Sequence, residues 1–304
     1  MTADRRPSDG LSGVLVPVLT PFTPDYEPDL PTFLGFCRSL LEQGAGGLAV
    51  FGTTSEANSM SLGERRRLLA ALIEDGFEPK LLMPGTGASA IPDAVELTRA
   101  AVEAGAGGVL MLPPFYYKNV PEDGVLAYYA EVIERVGDAR LRVFLYHIPQ
   151  VSGVPVTPAL VGRLVDRYRA TIAGLKDSSG DWENTATLLK RFASLSIFPG
   201  SERFLLRGLA AGAAGCITAT ANYDARLIRR VIDAPDGAER EWLGRRMVAL
   251  RTAFEQHPTI AGLKYVLARR AGNPAWNTVR PPLRPLSDEA GRALLAAIET
   301  AESD

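Results

Sequence analysis

Gly44-Ala-Gly-Gly-Leu-Ala-Val-Phe-Gly52 decides the fold. A helix-like stretch stops at its first glycine, and a short apolar run starts at Gly47 and ends at Gly52. Glycine adopts the left-handed conformation that commonly terminates a helix, so the segment reads as a helix stop feeding straight into a buried strand. The same turn recurs at Gly105-Ala-Gly-Gly108 and Gly212-Ala-Ala-Gly215, each time ahead of another apolar run. Working outward, strands are predicted at Gly13–Leu19, Gly47–Gly52, Lys80–Gly85, Gly107–Leu112, Arg142–His147, Thr171–Lys176, Ser196–Pro199 and Gly215–Ala219, separated by amphipathic helical stretches. Several helix starts are marked. Ser61-Leu-Gly-Glu64 reads as a capping box, Thr157-Pro158 as a cap followed by proline in the first turn, and Ser201 and Asp224 as further caps. Eight strand-then-helix units in residues 10–236 predict an α/β fold, a (β/α)8 TIM barrel. An open doubly wound sheet is the alternative, but no Gly-x-Gly-x-x-Gly fingerprint follows the first strand and no Walker phosphate loop is present.

The remainder, residues 237–304, is helical only: Gly237–Gln256, Thr259–Ala271, a proline-rich link Arg280-Pro-Pro-Leu-Arg-Pro285, then Ser287–Glu302. It reads as an extension that packs on the barrel or on a neighbouring subunit and carries no chemistry, with Lys264 and His257 on helix surfaces.

Composition narrows the function classes. The chain has 304 residues, 46% of them hydrophobic and 22% charged, as expected of a soluble globular protein. A net charge of −2 gives no electrostatic case for nucleic acid. Apolar runs are broken well short of the ~20 residues that span a membrane, and Met1–Gly10 has no apolar signal-peptide core and reads as a loose tail. Cys37 and Cys216 form no spaced pair, which suits buried thiols in a reducing cytoplasm, and His147 and His257 are too few for a His-rich metal site.

The chemistry centres on Ala170-Thr-Ile-Ala-Gly-Leu-Lys-Asp-Ser-Ser-Gly180. Lys176 stands at the end of an apolar strand in a chain with only five lysines among 33 basic residues. A desolvated lysine can attack a carbonyl to form a Schiff base, which an always-protonated arginine cannot do. The plain alternative is a strand-end lysine that reaches solvent or pairs with Asp177. In a barrel the chemistry sits at the C-terminal strand ends. Those ends here carry Gly52-Thr-Thr-Ser-Glu56, Pro113-Pro-Phe-Tyr-Tyr117, Tyr146-His-Ile-Pro149, Lys176-Asp-Ser-Ser-Gly180 and Gly200-Ser-Glu202. Hydroxyls suit a carboxylate, and a phenol beside an amine can relay protons. Taken singly, Tyr146 reads equally as a packing residue, and Thr53 and Thr54 as turn residues.

These motifs resemble those of the pyruvate-dependent class I aldolases and lyases typified by dihydrodipicolinate synthase and N-acetylneuraminate lyase, over about Gly10 to Leu286. Gly52-Thr-Thr-Ser-Glu56 is similar to that family's GTTGE loop, Tyr146-His-Ile-Pro149 to its YNxP, Gly174-Leu-Lys-Asp177 to its GIKD, and Val279-Arg-Pro-Pro-Leu283 to its RxPL. The resemblance implies Lys176 as the Schiff-base lysine, Tyr146 as proton relay, Thr53 and Thr54 on the pyruvate carboxylate, and backbone of Ile217 framing the pyruvate. It also implies that Tyr117 reaches the site of an adjacent subunit in a homotetramer, and that no metal or cofactor is needed.

Departures bear on the substrate. Where dihydrodipicolinate synthases carry an arginine two residues after the YNxP proline, Val151 stands here, and Tyr146-His-Ile-Pro-Gln-Val-Ser-Gly153 resembles the YNIPxLSG of the sialic acid lyase. Ser178 occupies the place of a substrate-binding threonine, and Glu202 is a candidate acceptor for a polyhydroxylated chain or a helix-start acid. His147 replaces the usual Asn and Ser55 the usual Gly. The expected substrates are pyruvate, as one of two small-molecule partners with an aldehyde, and a 2-keto-3-deoxy sugar acid or related 2-oxo acid. Dihydrodipicolinate synthase is the alternative within the same chemistry, and a non-catalytic pyruvate-binding or regulatory barrel the alternative outside it.

Overall fold

A computed structural model describes residues 10–303, so the reading of the N-terminal tail lies outside the described residues except for Gly10. Seven strands alternate with helices: β1 (Gly13–Val16), α1 (Leu30–Glu42), β2 (Gly47–Leu48), α2 (Leu62–Glu74), α3 (Ile91–Glu103), β3 (Val109–Met111), α4 (Glu122–Val136), β4 (Val143–His147), α5 (Pro149–Ser152), α6 (Pro158–Arg167), β5 (Ile172–Asp177), α7 (Trp182–Arg191), β6 (Ser196–Pro199), α8 (Leu205–Ala211), β7 (Gly215–Ile217) and α9 (Ala221–Asp233). Three further helices follow, α10 (Ala238–Glu255), α11 (Thr259–Ala271) and α12 (Asp288–Ser303).

The strands are all parallel and form two arcs, β2-β1-β7 and β3-β4-β5-β6. The predicted strand Lys80–Gly85 is not a ladder strand. Pro79 opens a 3-10 turn over Pro79–Leu81, and Pro84 has no amide proton to donate, so only isolated bridges remain at Leu48↔Leu82 and Gly85↔Leu110. Hydrogen bonds from Met83 N to Leu48 O (2.9 Å), Gly85 N to Val50 O (2.7 Å) and Leu110 N to Pro84 O (2.9 Å) still seat this segment between the arcs. At the opposite seam Ala214 N donates to Ile197 O at 3.0 Å. Eight parallel segments therefore follow one another around a TIM-barrel-like ring, as predicted, although one of them is irregular.

Side-chain alternation sorts the residues between two cores. Val14, Val16, Leu48, Val109, Met111, Val143, Leu145, Leu175 and Ile197 join the helices in one large cluster. The intervening Leu15, Ala49, Met83, Leu110, Phe144, Tyr146, Phe198 and Ile217 pack together in a second cluster, the barrel interior. Gly174 belongs to this arrangement: a Cβ there would come within 2.6 Å of the Phe144 ring, so glycine leaves room for the ring that fills the barrel.

The caps stand largely as predicted. Ser61 and Glu64 form a reciprocal capping box, and Thr157 accepts from Leu160 N at 3.0 Å with Pro158 in the first turn. Asp224 sits at a kink inside α9 and accepts from Leu227 N at 2.9 Å, whereas Ser201 caps only a 3-10 turn leading into α8.

The extension departs from expectation. Lys264 is fully buried, because every residue of Ala261–Ala268 is covered where α11 packs against α9, α10 and α12. Arg280, in the link after α11, donates to Ser59 O (2.6 Å), Tyr26 O (2.9 Å) and both carboxylate oxygens of Glu64. Hydrogen bonding from Arg280 lowers the Glu64 carboxyl from the usual 4.5 to about 2. A depressed carboxyl stabilises the fold fully above its unfolded value and loses that contribution as pH falls through its folded value. Glu64→Gln is therefore expected to melt below the wild type at neutral pH, with the two melting temperatures converging as pH drops from 4.5 towards 2.

Candidate active site

Tyr146 on β4 and Lys176 on β5 are register partners, and both face the barrel interior. Lys176 Nζ donates to Tyr146 Oη at 3.2 Å and lies 4.4 Å from the centre of the phenol ring. Both side chains are buried, at 5% and 3% exposure. Asp177 offers Lys176 no ion pair. One strand position on, its carboxylate accepts from Ser179 N (3.0 Å), Asn184 Nδ2 (2.9 Å) and Thr185 Oγ1 (2.7 Å), which anchors β5 to α7. Lys176 makes no ion pair with any described residue. The solvent-reaching or Asp177-paired lysine is thereby excluded.

Burial pushes the Tyr146 phenol up, but the Lys176 charge, with the hydroxyls of Thr53 and Ser178 acting the same way, holds it below its usual 10. The Thr53 hydroxyl makes no well-formed hydrogen bond: Thr53 Oγ1 is buried and unpartnered. Such a group costs about 1–3 kcal/mol unless something supplies an acceptor, and Thr53 lines a cavity from which a ligand could supply one. Thr54, Ser178 and Ile217 line the same cavity, of about 880 Å³, with Tyr146 and Lys176. Gly200 is required beside them, since a Cβ there would fall 2.0 Å from Ser178 Oγ.

Two sequence candidates are not brought to this cavity. Glu202 is buried and its carboxylate is already engaged by Thr218 Oγ1 (2.5 Å), Thr220 Oγ1 and Arg251 Nη1 (3.3 Å), so it ties the turn after β7 to α10 and is not free to accept from a substrate. Tyr117 is 73% exposed and packs edge-on against Tyr116, directed to the surface. Lys118 steadies that loop by donating to Phe115 O and Ser152 O. His147 and Ser55 take structural roles. His147 Nδ1 accepts from Val156 N at 3.0 Å, with burial, against the opposing charge of Asp177, holding the imidazole below 6.5; Ser55 Oγ donates to Val18 O.

The extension supplies a wall that sequence reasoning missed. From it Arg251, Glu255 and Arg284 line the cavity, joined by Arg203 from the turn before α8, while Val151 is 60% exposed and does not. Arg251 and Arg203 are tied to Glu255 at 2.7 and 2.6 Å, and Arg284 has no partner among the described residues. The i,i+4 spacing of Arg251 and Glu255 was visible on α10, but nothing local says that α10 reaches the barrel mouth. Among the described residues no group of three His, Cys, Asp or Glu side chains is placed to hold a metal, and no helix is long and apolar enough to cross a membrane.

The model of the dihydrodipicolinate synthetase family matches residues 10–301. A Chloroflexus aurantiacus relative, named an uncharacterized DapA-like lyase, is 40% identical over 289 residues, covering 94% of this chain and 96% of its own. The crystal structure of dihydrodipicolinate synthase from Agrobacterium tumefaciens superposes with a TM-score of 0.88 at 33% identity, covering 95% of this chain and 99% of that one. YagE of E. coli K12, a prophage protein of the dihydrodipicolinic acid synthase family in complex with pyruvate, superposes with a TM-score of 0.87 at 25% identity, covering 96% and 98%.

Proposed function

We propose that this chain, which belongs to the dihydrodipicolinate synthetase family and is a lyase, joins or cleaves a carbon–carbon bond at C3 of pyruvate, the carbon next to its carbonyl, through an imine on Lys176. The observation that carries the reading is Lys176 Nζ within 3.2 Å of Tyr146 Oη inside the barrel, with no carboxylate paired to the amine. YagE, crystallised with pyruvate, supports pyruvate as the common partner.

The lysine amine adds to the ketone carbon, and Tyr146 donates its proton to the departing carbinolamine oxygen, which leaves as water. In the cleavage direction a base, Tyr146 as phenolate, removes the proton of the hydroxyl on the carbon beyond C3. The bond from that carbon to C3 breaks, its electron pair flows into the iminium to give an enamine, and the aldehyde departs. Protonation at C3 and hydrolysis then return pyruvate and free lysine. Thr53 and Thr54 hold the carboxylate, which supplies the acceptor that Thr53 Oγ1 lacks. The reaction needs no metal or cofactor, because the iminium itself is the electron sink. The enzyme acts in the cytoplasm as a homotetramer, and exposed Tyr117 reaches the site of an adjacent subunit.

The substrate read from the sequence is a 2-keto-3-deoxy sugar acid or related 2-oxo acid, with Ser178 and Ile217 on the cavity wall. One observation favours 4-hydroxy-tetrahydrodipicolinate synthase as a second reading. Val151 supplies no cation for the carboxylate of aspartate semialdehyde, but Arg284, Arg203 and Arg251 line the same cavity. Purified enzyme is expected to release pyruvate from 2-keto-3-deoxy sugar acids faster than it condenses pyruvate with aspartate semialdehyde. Efficient condensation that drops about tenfold or more in Arg284→Ala would reverse that ranking, one charge-assisted contact amounting to roughly 1.5–3 kcal/mol.

A further inference from the structure

Glu56 ends the loop that carries Thr53 and Thr54, in a backbone conformation unusual for a residue with a side chain. Its backbone is left-handed, at φ +57, a region a non-glycine residue occupies only when its surroundings hold it. The hold comes from 208 residues away. Lys264 of α11, fully buried, donates from Nζ to Glu56 Oε1 and to Thr278 O at 2.8 Å, while Arg280 N donates to Glu56 Oε2 at 2.9 Å. Lys264 Nζ and the Arg280 guanidinium also lie over the Phe22 ring, at 4.4 and 4.5 Å. From Glu56 the restraint passes into the loop: Glu56 N donates to Thr53 O at 3.1 Å and Ala57 N to Gly52 O at 3.2 Å. On the far side, Thr20 Oγ1 donates to Ser55 O at 2.9 Å.

A buried ion pair is a poor way to add stability, because two apolar residues of similar volume fold at least as well. An apolar pair cannot fix the direction of a carboxylate, and through it the turn of a loop. We propose that the Lys264–Glu56 ion pair is a positioning device that holds the Thr53–Thr54 loop in the geometry that receives the 2-oxo acid carboxylate, so that α11 sets affinity without touching substrate. The inference rests on the imine reading for its substrate. Tyr146 sits on β4 and Lys176 on β5, and neither hydrogen-bonds to the pair, so the chemical step should be spared.

The test uses full-length Lys264→Met, Glu56→Gln and the double variant. Two quantities are read: the pyruvate concentration that half-saturates borohydride trapping, together with its plateau, and amide hydrogen exchange in the peptide spanning 52–60. Each single variant is expected to raise the half-saturating concentration about tenfold or more with the plateau within about twofold, and to speed exchange in 52–60 while other peptides keep wild-type rates. The double variant should be no worse than the worse single, as expected when both groups act through one contact. A purely structural pair would lower the melting temperature and leave half-saturation unchanged, which overturns the proposal, as do effects that multiply in the double variant. Should Lys264→Met not fold, Glu56→Gln, which preserves size, decides by the same criteria. If the wild type traps no pyruvate, the imine reading fails separately, and unchanged exchange in 52–60 would then overturn the positioning claim on its own.

Discussion

Lys176→Ala is expected to abolish the borohydride-trappable pyruvate adduct, leaving no modified peptide when the digested protein is mapped by mass. The expectation is sharp because the other lysines are accounted for. Lys80 and Lys190 are exposed, Lys118 is committed to two backbone carbonyls, and Lys264 to Glu56 and Thr278. Only Lys176 combines burial, an absent counter-ion and a neighbouring phenol. Lys176→Arg should fail equally, since a guanidinium keeps its proton and cannot attack. An adduct of wild-type yield in either variant would remove Lys176 from the mechanism.

Tyr146→Phe is expected to reduce turnover by about 10²–10⁴-fold, the range for loss of a positioned general acid or base, or roughly 3–5 kcal/mol of barrier. The ring belongs to the barrel-interior cluster with Phe144, Ile148 and Phe198, and phenylalanine preserves that packing. The lost hydroxyl leaves Lys176 Nζ without its acceptor, a penalty of about 1–3 kcal/mol that lowers the melting temperature without preventing folding. The slow variant should still accumulate some trappable adduct after long incubation, because the nucleophile remains. Near-normal turnover would return Tyr146 to a packing role.

The two predictions also differ in how they became visible. Lys176 stood out locally as an amine at the end of an apolar strand, and alternation alone places it opposite Leu175, on the inner face. That Tyr146 Oη would stand 3.2 Å away depended on the β4–β5 register, which shifts at Val143 and Phe144 and leaves no local trace. Thr53, Thr54, Ser178 and Ile217 came together because every βα junction opens on one end of the ring. Glu202 was misread because the sequence shows a helix-start acid, while two of its three partners come from the turn after β7 and the third from α10.

By itself the sequence determined what lies within a dozen residues: glycine stops, helix caps, strand alternation, and the isolation of Lys176 in an apolar run. These follow from backbone dihedrals and side-chain periodicity, which each segment carries with it. Only the tertiary structure decided how Leu82–Gly85 bridges the two arcs despite its proline, why Lys264 is buried against Glu56, and that Arg251 and Arg284 line one cavity with Thr54. The last two of those placements join residues some 200 positions apart. They are set by how α10 and α11 dock on the barrel, where burial of apolar faces chooses the orientation and polar side chains are carried to partners that no local pattern encodes.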